Sequence, residues 1–188
     1  PNGPKTANTW RMASHGGALY VATGALAGNW SSTFLKDGVH HFADGRWGTS
    51  DLSTDPILLG TNDFGGAVND MVSVAVDPSD PLHAYVGSWD DGVIEFRNRQ
   101  PVQIYNHTNS ALGVEQNGAA GKVNVAGMNF DINGNLWMTN AWSLNPVVVL
   151  TRGGEWRKFI PGNLLSGSNM PTDIVPASFN NFKWIIRP

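Results

Sequence analysis

The chain repeats one short pattern four times, a strand of four residues built around an aromatic side chain. The aromatic residues are Tyr20, Tyr85, Trp137 and Trp184, so successive copies are 65, 52 and 47 residues apart. A period of about 40–50 residues with several short strands per copy is typical of the blades of a β-propeller. The sequence therefore predicts an all-β fold, a β-propeller with three blades and part of a fourth.

Turn dipeptides between the apolar stretches support this pattern. They are Asp37-Gly38, Asp91-Gly92, Asn133-Gly134 and Gly153-Gly154, and such pairs favour tight turns between antiparallel strands. We expect residues 1–188 to form one propeller region with approximate repeats at 10–47, 70–105, 123–159 and 172–188, the last incomplete. A strand over Thr33–Leu35 is expected to pair with Val39–Phe42 across Asp37-Gly38, and Gly48–Val68 to form a long loop.

The number of blades limits what the chain forms by itself. Propellers close with roughly four to eight blades, and half a blade exposes a strand edge that natural proteins avoid. We therefore expect the chain to be a fragment of a larger propeller, or its edges to be covered by another protein. The first residue is Pro1 and no leader pattern follows it, which suggests a processed or excised chain.

Composition excludes several classes of function. Only 14% of residues are charged and the net charge is −3, so a nucleic-acid partner is not expected. There is no run of 18 apolar residues that could span a membrane. The chain contains no cysteine, which excludes thiolate chemistry, and no nucleotide-binding motif is present. No cofactor is predicted.

Two acidic patterns are weak candidates for calcium. Asp131 opens a segment similar to a calcium loop, but Trp142 stands where the loop needs its bidentate glutamate. Asp77, Asp80, Asp90 and Asp91 form a second acidic group along the chain. Turn and loop-capping roles explain these residues better than a metal. Adjacent histidines such as His40 and His41 point to opposite faces of a strand, so they do not chelate one ion.

Three tryptophans are the best candidates for a binding site. Trp30, Trp89 and Trp142 each follow the second strand of a copy, so they should lie at the same end of their blades. One interpretation is packing between blades. The other is an aromatic platform for a sugar or a partner protein.

A propeller glycosidase is the least favoured alternative. Asp44-Gly45-Arg46-Trp47 and Gly153-Gly154-Glu155-Trp156 are only superficially similar to the Asp-box of sialidases. Nothing in the sequence selects the pair of carboxylates that glycoside hydrolysis needs. We therefore predict a noncatalytic protein.

An ordered set of short blocks resembles the N-terminal propeller of PorZ-like proteins, accessory proteins of the type IX secretion system in Bacteroidetes that are related to two-component-regulator propeller repeats. The blocks, which cover nearly the whole chain, are Pro1–Pro4, Gly17–Val21, Asp37–Val39, Gly45–Trp47, Val76–Pro78, Tyr85–Trp89, Gly92–Glu95, Tyr105-Asn106, Asn109–Leu112, Phe130-Asp131 and Gly134–Asn140.

This resemblance implies a recognition or assembly module without catalysis. The expected location is the extracellular face of the outer membrane or the periplasm, and the expected partners are other secretion-system or surface proteins, or further blades of the same propeller. Regulator relatives imply the alternative, a periplasmic sensor propeller that binds glycans. The sequence shows neither the second propeller nor the C-terminal sorting domain of the larger family members.

Overall fold

The structure, a computed structural model, describes residues 2–59, 66–118, 120–160, 162, 170–180 and 182–186. The strands are β1 Arg11–His15, β2 Ala18–Ala22, β3 Val39–Ala43, β4 Arg46–Ser50, β5 Met71–Asp77, β6 Asp80–Ser88, β7 Val93–Arg97, β8 Gln100–Tyr105, β9 Asn124–Phe130, β10 Leu136–Ala141, β11 Val147–Leu150, β12 Trp156–Phe159, β13 Asp173–Pro176 and β14 Lys183–Ile186. A short 3-10 helix covers Pro56–Leu59. None of the helices in the described ranges is long and apolar enough to cross a membrane.

The strands form three four-stranded antiparallel sheets and a two-stranded hairpin. In chain order the first sheet contains β1–β4, the second β5–β8, the third β9–β12, and the hairpin β13 and β14. Each sheet is a simple meander in which consecutive strands pair. The predicted all-β propeller, with three blades and part of a fourth, is confirmed. That residues 1–188 form a single propeller region stays a prediction.

The first strand of every sheet faces a common central channel. Residues of β1, β5, β9 and β13 line a cavity of about 610 Å³. β5 packs against both β1 and β9, and β9 packs against β13. Across the channel, Arg11 of β1 forms a 2.9 Å ion pair with Asp173 of β13, so the first sheet contacts the last.

Alternation along the strands places apolar side chains between neighbouring sheets. Tyr20 of the first sheet packs edge-on against Phe96 of the second, with ring centroids 6.1 Å apart. In the same way Tyr85 of the second sheet contacts Phe130 of the third at 6.1 Å. Burying an aromatic of this kind stabilises a fold by roughly 1.5–3 kcal/mol, which explains why the pattern recurs.

Two Asp-Gly turns are explained by a close approach of backbone. Gly38 and Gly92 open the third strands of their sheets with φ of 80° and 86°. A Cβ at Gly38 would lie 2.1 Å from the carbonyl oxygen of Ser50, and one at Gly92 would lie 2.2 Å from that of Tyr105. Both carbonyls end a fourth strand, so the same contact recurs in two blades and requires glycine.

The predicted strand Thr33–Leu35 is wrong. β3 pairs with β2 and β4 instead, and the backbone N–H groups of Thr33, Phe34 and Leu35 all donate to the carboxylate of Asp70. A side chain more than thirty residues away in sequence thus replaces the expected strand partner.

The predicted loop Gly48–Val68 begins three residues later, at Asp51, because β4 continues to Ser50. Its residues 60–65 lie outside the described residues, as do Pro1, Asn181 and residues 187–188 of the last predicted repeat.

Candidate functional site

The three predicted tryptophans come together at one end of the sheets. The ring centroids of Trp30 and Trp89 are 6.4 Å apart, and those of Trp89 and Trp142 are 5.3 Å apart in an edge-to-face arrangement. They share an apolar cluster with Val72 and Ala126 on the inner strands. The expectation that equivalent positions bring these side chains to the same end therefore agrees with the geometry, while their role in binding stays a prediction.

The three tryptophans differ in exposure and in backbone geometry. Trp89 is completely buried, so it serves as the packing centre and is not a platform. Trp30 and Trp142 are half-buried and adopt φ of 65° and 53°. This left-handed conformation is unusual for a bulky residue and costs of the order of 1–3 kcal/mol. A ligand at this end would contact Trp30 and Trp142.

Polar residues beside the tryptophans join three parts of the chain. Lys122 pairs with Asp90 at 3.0 Å and with Glu115 at 3.3 Å. Ser32, in the loop that carries Trp30, donates to Asp90 at 2.9 Å. These side chains are mostly buried, so the network fixes the loops of neighbouring sheets against one another.

The structure does not bring Asp77, Asp80, Asp90 and Asp91 together. β6, residues Asp80–Ser88, separates the first pair from the second. Asp77 accepts hydrogen bonds from Ser79 and Asp80 accepts one from the N–H of Leu82, whereas Asp90 pairs with Lys122. Within the described ranges no three His, Asp or Glu side chains are arranged to hold a metal ion.

The segment similar to a calcium loop is a turn. The carboxylate of Asp131 accepts hydrogen bonds from the backbone N–H groups of Asn133 and Asn135 and, at 2.8 Å, from the indole of Trp137. Burial raises its pKa, but these hydrogen bonds outweigh burial and lower the pKa below its usual value. Asp131 therefore holds the hairpin in place.

A charged cluster that the sequence analysis missed lies at the opposite end of the sheets. His83 stands between two carboxylates, with Nδ1 2.9 Å from Asp77 and Nε2 3.0 Å from Glu95. Glu95 also accepts a hydrogen bond from the hydroxyl of Tyr105 at 2.7 Å and pairs with Arg97 at 2.7 Å. We call these five residues the His83 cluster.

Mutual hydrogen bonding sets the charges of the cluster. The hydrogen bond from His83, aided by Tyr105 and Arg97, outweighs burial and lowers the pKa of Glu95 to about 2. Burial disfavours the charged form of His83, but its two carboxylate partners prevail and raise its pKa. Burial and the bond to Glu95 raise the pKa of Tyr105 to about 12. The cluster is therefore an ionised group held between strands.

The His83 cluster borders a cavity of about 280 Å³ between the second and third sheets. Apolar and aromatic side chains of both sheets complete its wall: Tyr85, Phe130, Leu136, Leu150 and Trp156. The available signal was the strand register, since His83 and Tyr85 share a face of β6 and Glu95 lies opposite Tyr85 on β7. The sequence analysis did not select His83, because its neighbours lie across the strands and not along the chain.

Comparison with known proteins finds solved structures of similar fold. No protein-family model matches the chain, and no curated protein matches it in sequence. Among solved structures it is similar to PorZ of Porphyromonas gingivalis, with a TM-score of 0.81 and 24% identity over 98% of this chain and 23% of the PorZ chain. PorZ is described as an essential bacterial surface component of the type IX secretion system.

Two structures of the BT4673 extracellular domain from B. thetaiotaomicron are also similar. One, described as part of a one-component system, has a TM-score of 0.59 and 14% identity over 99% of this chain and 21% of its own. The other, described as part of a hybrid two-component system, has a TM-score of 0.55 and 14% identity over 94% and 20%. The resemblance to PorZ-like and regulator propellers is thus confirmed for the fold, and the chain spans less than a quarter of the PorZ chain.

Proposed function

We propose that this chain is a noncatalytic recognition and assembly module of a surface protein in a type IX secretion apparatus. The observation that carries the proposal is the fold similarity to PorZ, a surface component of that system, over 98% of the chain. Its location is then the extracellular face of the outer membrane or the periplasm, and its partners are secretion-system or surface proteins.

The β13–β14 hairpin presents an apolar surface that a further blade of the same propeller or a partner protein would cover. It carries large apolar side chains that are exposed on its strands and in its connection: Val175, Phe179, Phe182, Trp184 and Ile186. Contiguous exposed apolar surface of this kind is typical of a contact surface, and aromatic residues are enriched where proteins bind each other.

Deletion of the gene in its host tests the proposal. We expect secretion-system cargo to accumulate unprocessed in the periplasm, as detected by immunoblot, and wild-type protein to restore export. The variant Trp184→Ser should restore export less well than Leu144→Ser, a matched change at an exposed apolar residue outside the hairpin. Normal export in the deletion strain would overturn the assignment.

A glycan-binding or sensory propeller is the second candidate. The half-buried pair Trp30 and Trp142 and the fold similarity to an extracellular regulator domain favour it. A glycan array separates the two functions. Saturable binding to one glycan would support the sensor if it is lost in Trp142→Ala and kept in Phe34→Ala. Phe34 is an exposed aromatic residue that, like Trp142, has a positive φ.

A further inference from the structure

The cavity beside the His83 cluster is not explained by the packing of the sheets. Neighbouring blades usually fill the space between them with side chains, as Tyr20 and Phe96 do between the first and second sheets. Between the second and third sheets about 280 Å³ stays open, close to the lower end of ligand-binding pockets. Tyr105 and Trp156, with ring centroids 5.1 Å apart, form an aromatic wall from both sheets.

The negative charges of the cavity are already engaged. Glu95 accepts from His83, Arg97 and Tyr105, and both carboxylate oxygens of Asp77 accept hydrogen bonds. These acids therefore offer little to a ligand. A cationic ligand would have to displace partners that are already charged.

One positive charge of the cavity has no partner among the described residues. Arg152 is exposed and lines the rim, and its guanidinium makes no hydrogen bond or ion pair with any residue of the described ranges. Its stem lies over Gly134, where a Cβ would be 3.3 Å from Arg152 Cδ. The glycine thus leaves room for the arginine to lie across the rim.

We infer that this cavity binds a small molecule in which a carboxylate is attached to a flat apolar body. The carboxylate pairs with the planar guanidinium of Arg152, which suits it with two parallel hydrogen bonds. The apolar body lies against the Tyr105–Trp156 wall, since aromatic faces prefer such contacts. The inference concerns a ligand site and does not depend on the proposed secretion role.

Matched probes test the charge requirement. N-acetyl-L-phenylalanine carries the carboxylate, and N-acetyl-L-phenylalaninamide is its neutral counterpart. The full chain, labelled with ¹⁵N, is titrated with each while the indole N–H signal of Trp156 is followed by NMR. We expect a saturable shift with the acid and binding of the amide weaker by about tenfold, the loss of one charge-assisted pair.

Matched variants test the residue. Arg152→Gln should weaken binding of the acid to the level of the amide. Arg152→Lys should give an intermediate affinity, because lysine keeps the positive charge but cannot donate two parallel hydrogen bonds to the carboxylate. Arg157→Gln removes the same charge from an exposed position on the same sheet and should leave the affinity unchanged. An NMR spectrum that is unchanged away from the substituted residue verifies that each variant is folded.

Three results would overturn the inference. They are equal affinity for the acid and the amide, an equal loss in Arg152→Gln and Arg157→Gln, or the absence of a saturable shift at Trp156 up to the solubility limit of the acid. Tighter binding of a neutral methyl glycoside than of the acid would also overturn it, because the site would then select hydroxyl groups.

Discussion

The first and second sheets have the same strand arrangement but carry different side chains at an equivalent position. In the first sheet Tyr20 pairs with His41 on the neighbouring strand, and in the second sheet Tyr85 pairs with Glu95. Glu95 joins three charged or polar partners, whereas His41 is buried with no hydrogen bond from its Nδ1 to any residue of the described ranges. Burial, with Arg99 nearby, lowers the pKa of His41 to about 4.

This difference shows that the same four-stranded sheet accommodates either neutral or ionised side chains at this position. The two histidines respond in opposite ways because two carboxylates accept hydrogen bonds from His83, whereas Nδ1 of His41 has no partner among the described residues. Burial alone drives a histidine to its neutral form, while two hydrogen-bonded carboxylates reverse that preference. Stability of the two sheets should therefore depend on pH in opposite directions.

The largest loss of stability is expected from replacing Glu95, the common acceptor of the His83 cluster. Glu95→Leu leaves His83, Arg97 and Tyr105 without their common acceptor, and breaking a buried ion pair costs about 3–5 kcal/mol. Urea unfolding measures this loss. Glu155→Leu is the control, since its pair with Arg157 is exposed and such pairs contribute about 1 kcal/mol or less. Equal losses of stability in the two variants would contradict the claim that the His83 cluster stabilises the fold.

The next effect comes from acid acting on the first sheet. His41 has a folded pKa of about 4 and an unfolded value of about 6.5, so the unfolded chain binds the proton first as the pH falls. Its contribution is complete above pH 6.5 and decreases by about 3 kcal/mol as the pH falls to about 4. His41→Phe should remove this decrease, measured as the free energy of unfolding against pH.

His15→Gln, at the exposed end of β1, is the matched control and should keep the wild-type profile. A His41→Phe profile as steep as that of the wild type would show that other groups cause the acid sensitivity.

A smaller effect is expected from Gly48, which lies opposite His41 in the register. An added Cβ would lie 2.2 Å from His41 Cε1, and overpacking of this kind costs about 1–3 kcal/mol. Gly48→Ala should therefore lower the melting temperature. Gly153→Ala, where the nearest atom is 3.8 Å away, should leave it nearly unchanged, and a matching drop would mean that the clash with His41 is not the cause.

The smallest effect is a pH dependence of opposite sign in the second sheet. The folded pKa of His83 is raised, so its contribution is complete below about pH 6.5 and is lost as the pH rises through the folded value. The stability difference between wild type and His83→Gln should shrink across that rise, as followed by thermal melts. A difference that grows with pH would mean that His83 is neutral in the fold.

The repeat pattern was sufficient to predict the fold because it depends on local signals. Alternation and turn dipeptides lie within a few residues of each other, and the predicted hairpin of Asn133-Gly134 forms between β9 and β10 as expected. Thr33–Leu35 was predicted incorrectly because its hydrogen-bond partner, Asp70, is remote in sequence. Local propensity does not contain that information.

The candidate sites show the same limit. Equivalent positions in the blades were enough to place Trp30, Trp89 and Trp142 together, but not to show that Trp89 is buried, because burial depends on all neighbouring loops. The His83 cluster depends on the register of adjacent strands, which pairs residues far apart along the chain. Only the assembled sheets place Asp77, His83 and Glu95 within hydrogen-bonding distance.

The ion pair between Arg11 and Asp173 has a consequence for the order of folding. Its partners belong to the first sheet and to the β13–β14 hairpin, so forming it early would require closing nearly the whole chain as a loop, which is entropically unfavourable. Each intervening sheet that folds shortens the flexible segment between the two residues and lowers the entropic cost of closing the loop. The pair should therefore form late and break early, and a fluorophore and quencher on β1 and β13 would report the final step of assembly separately from the blades.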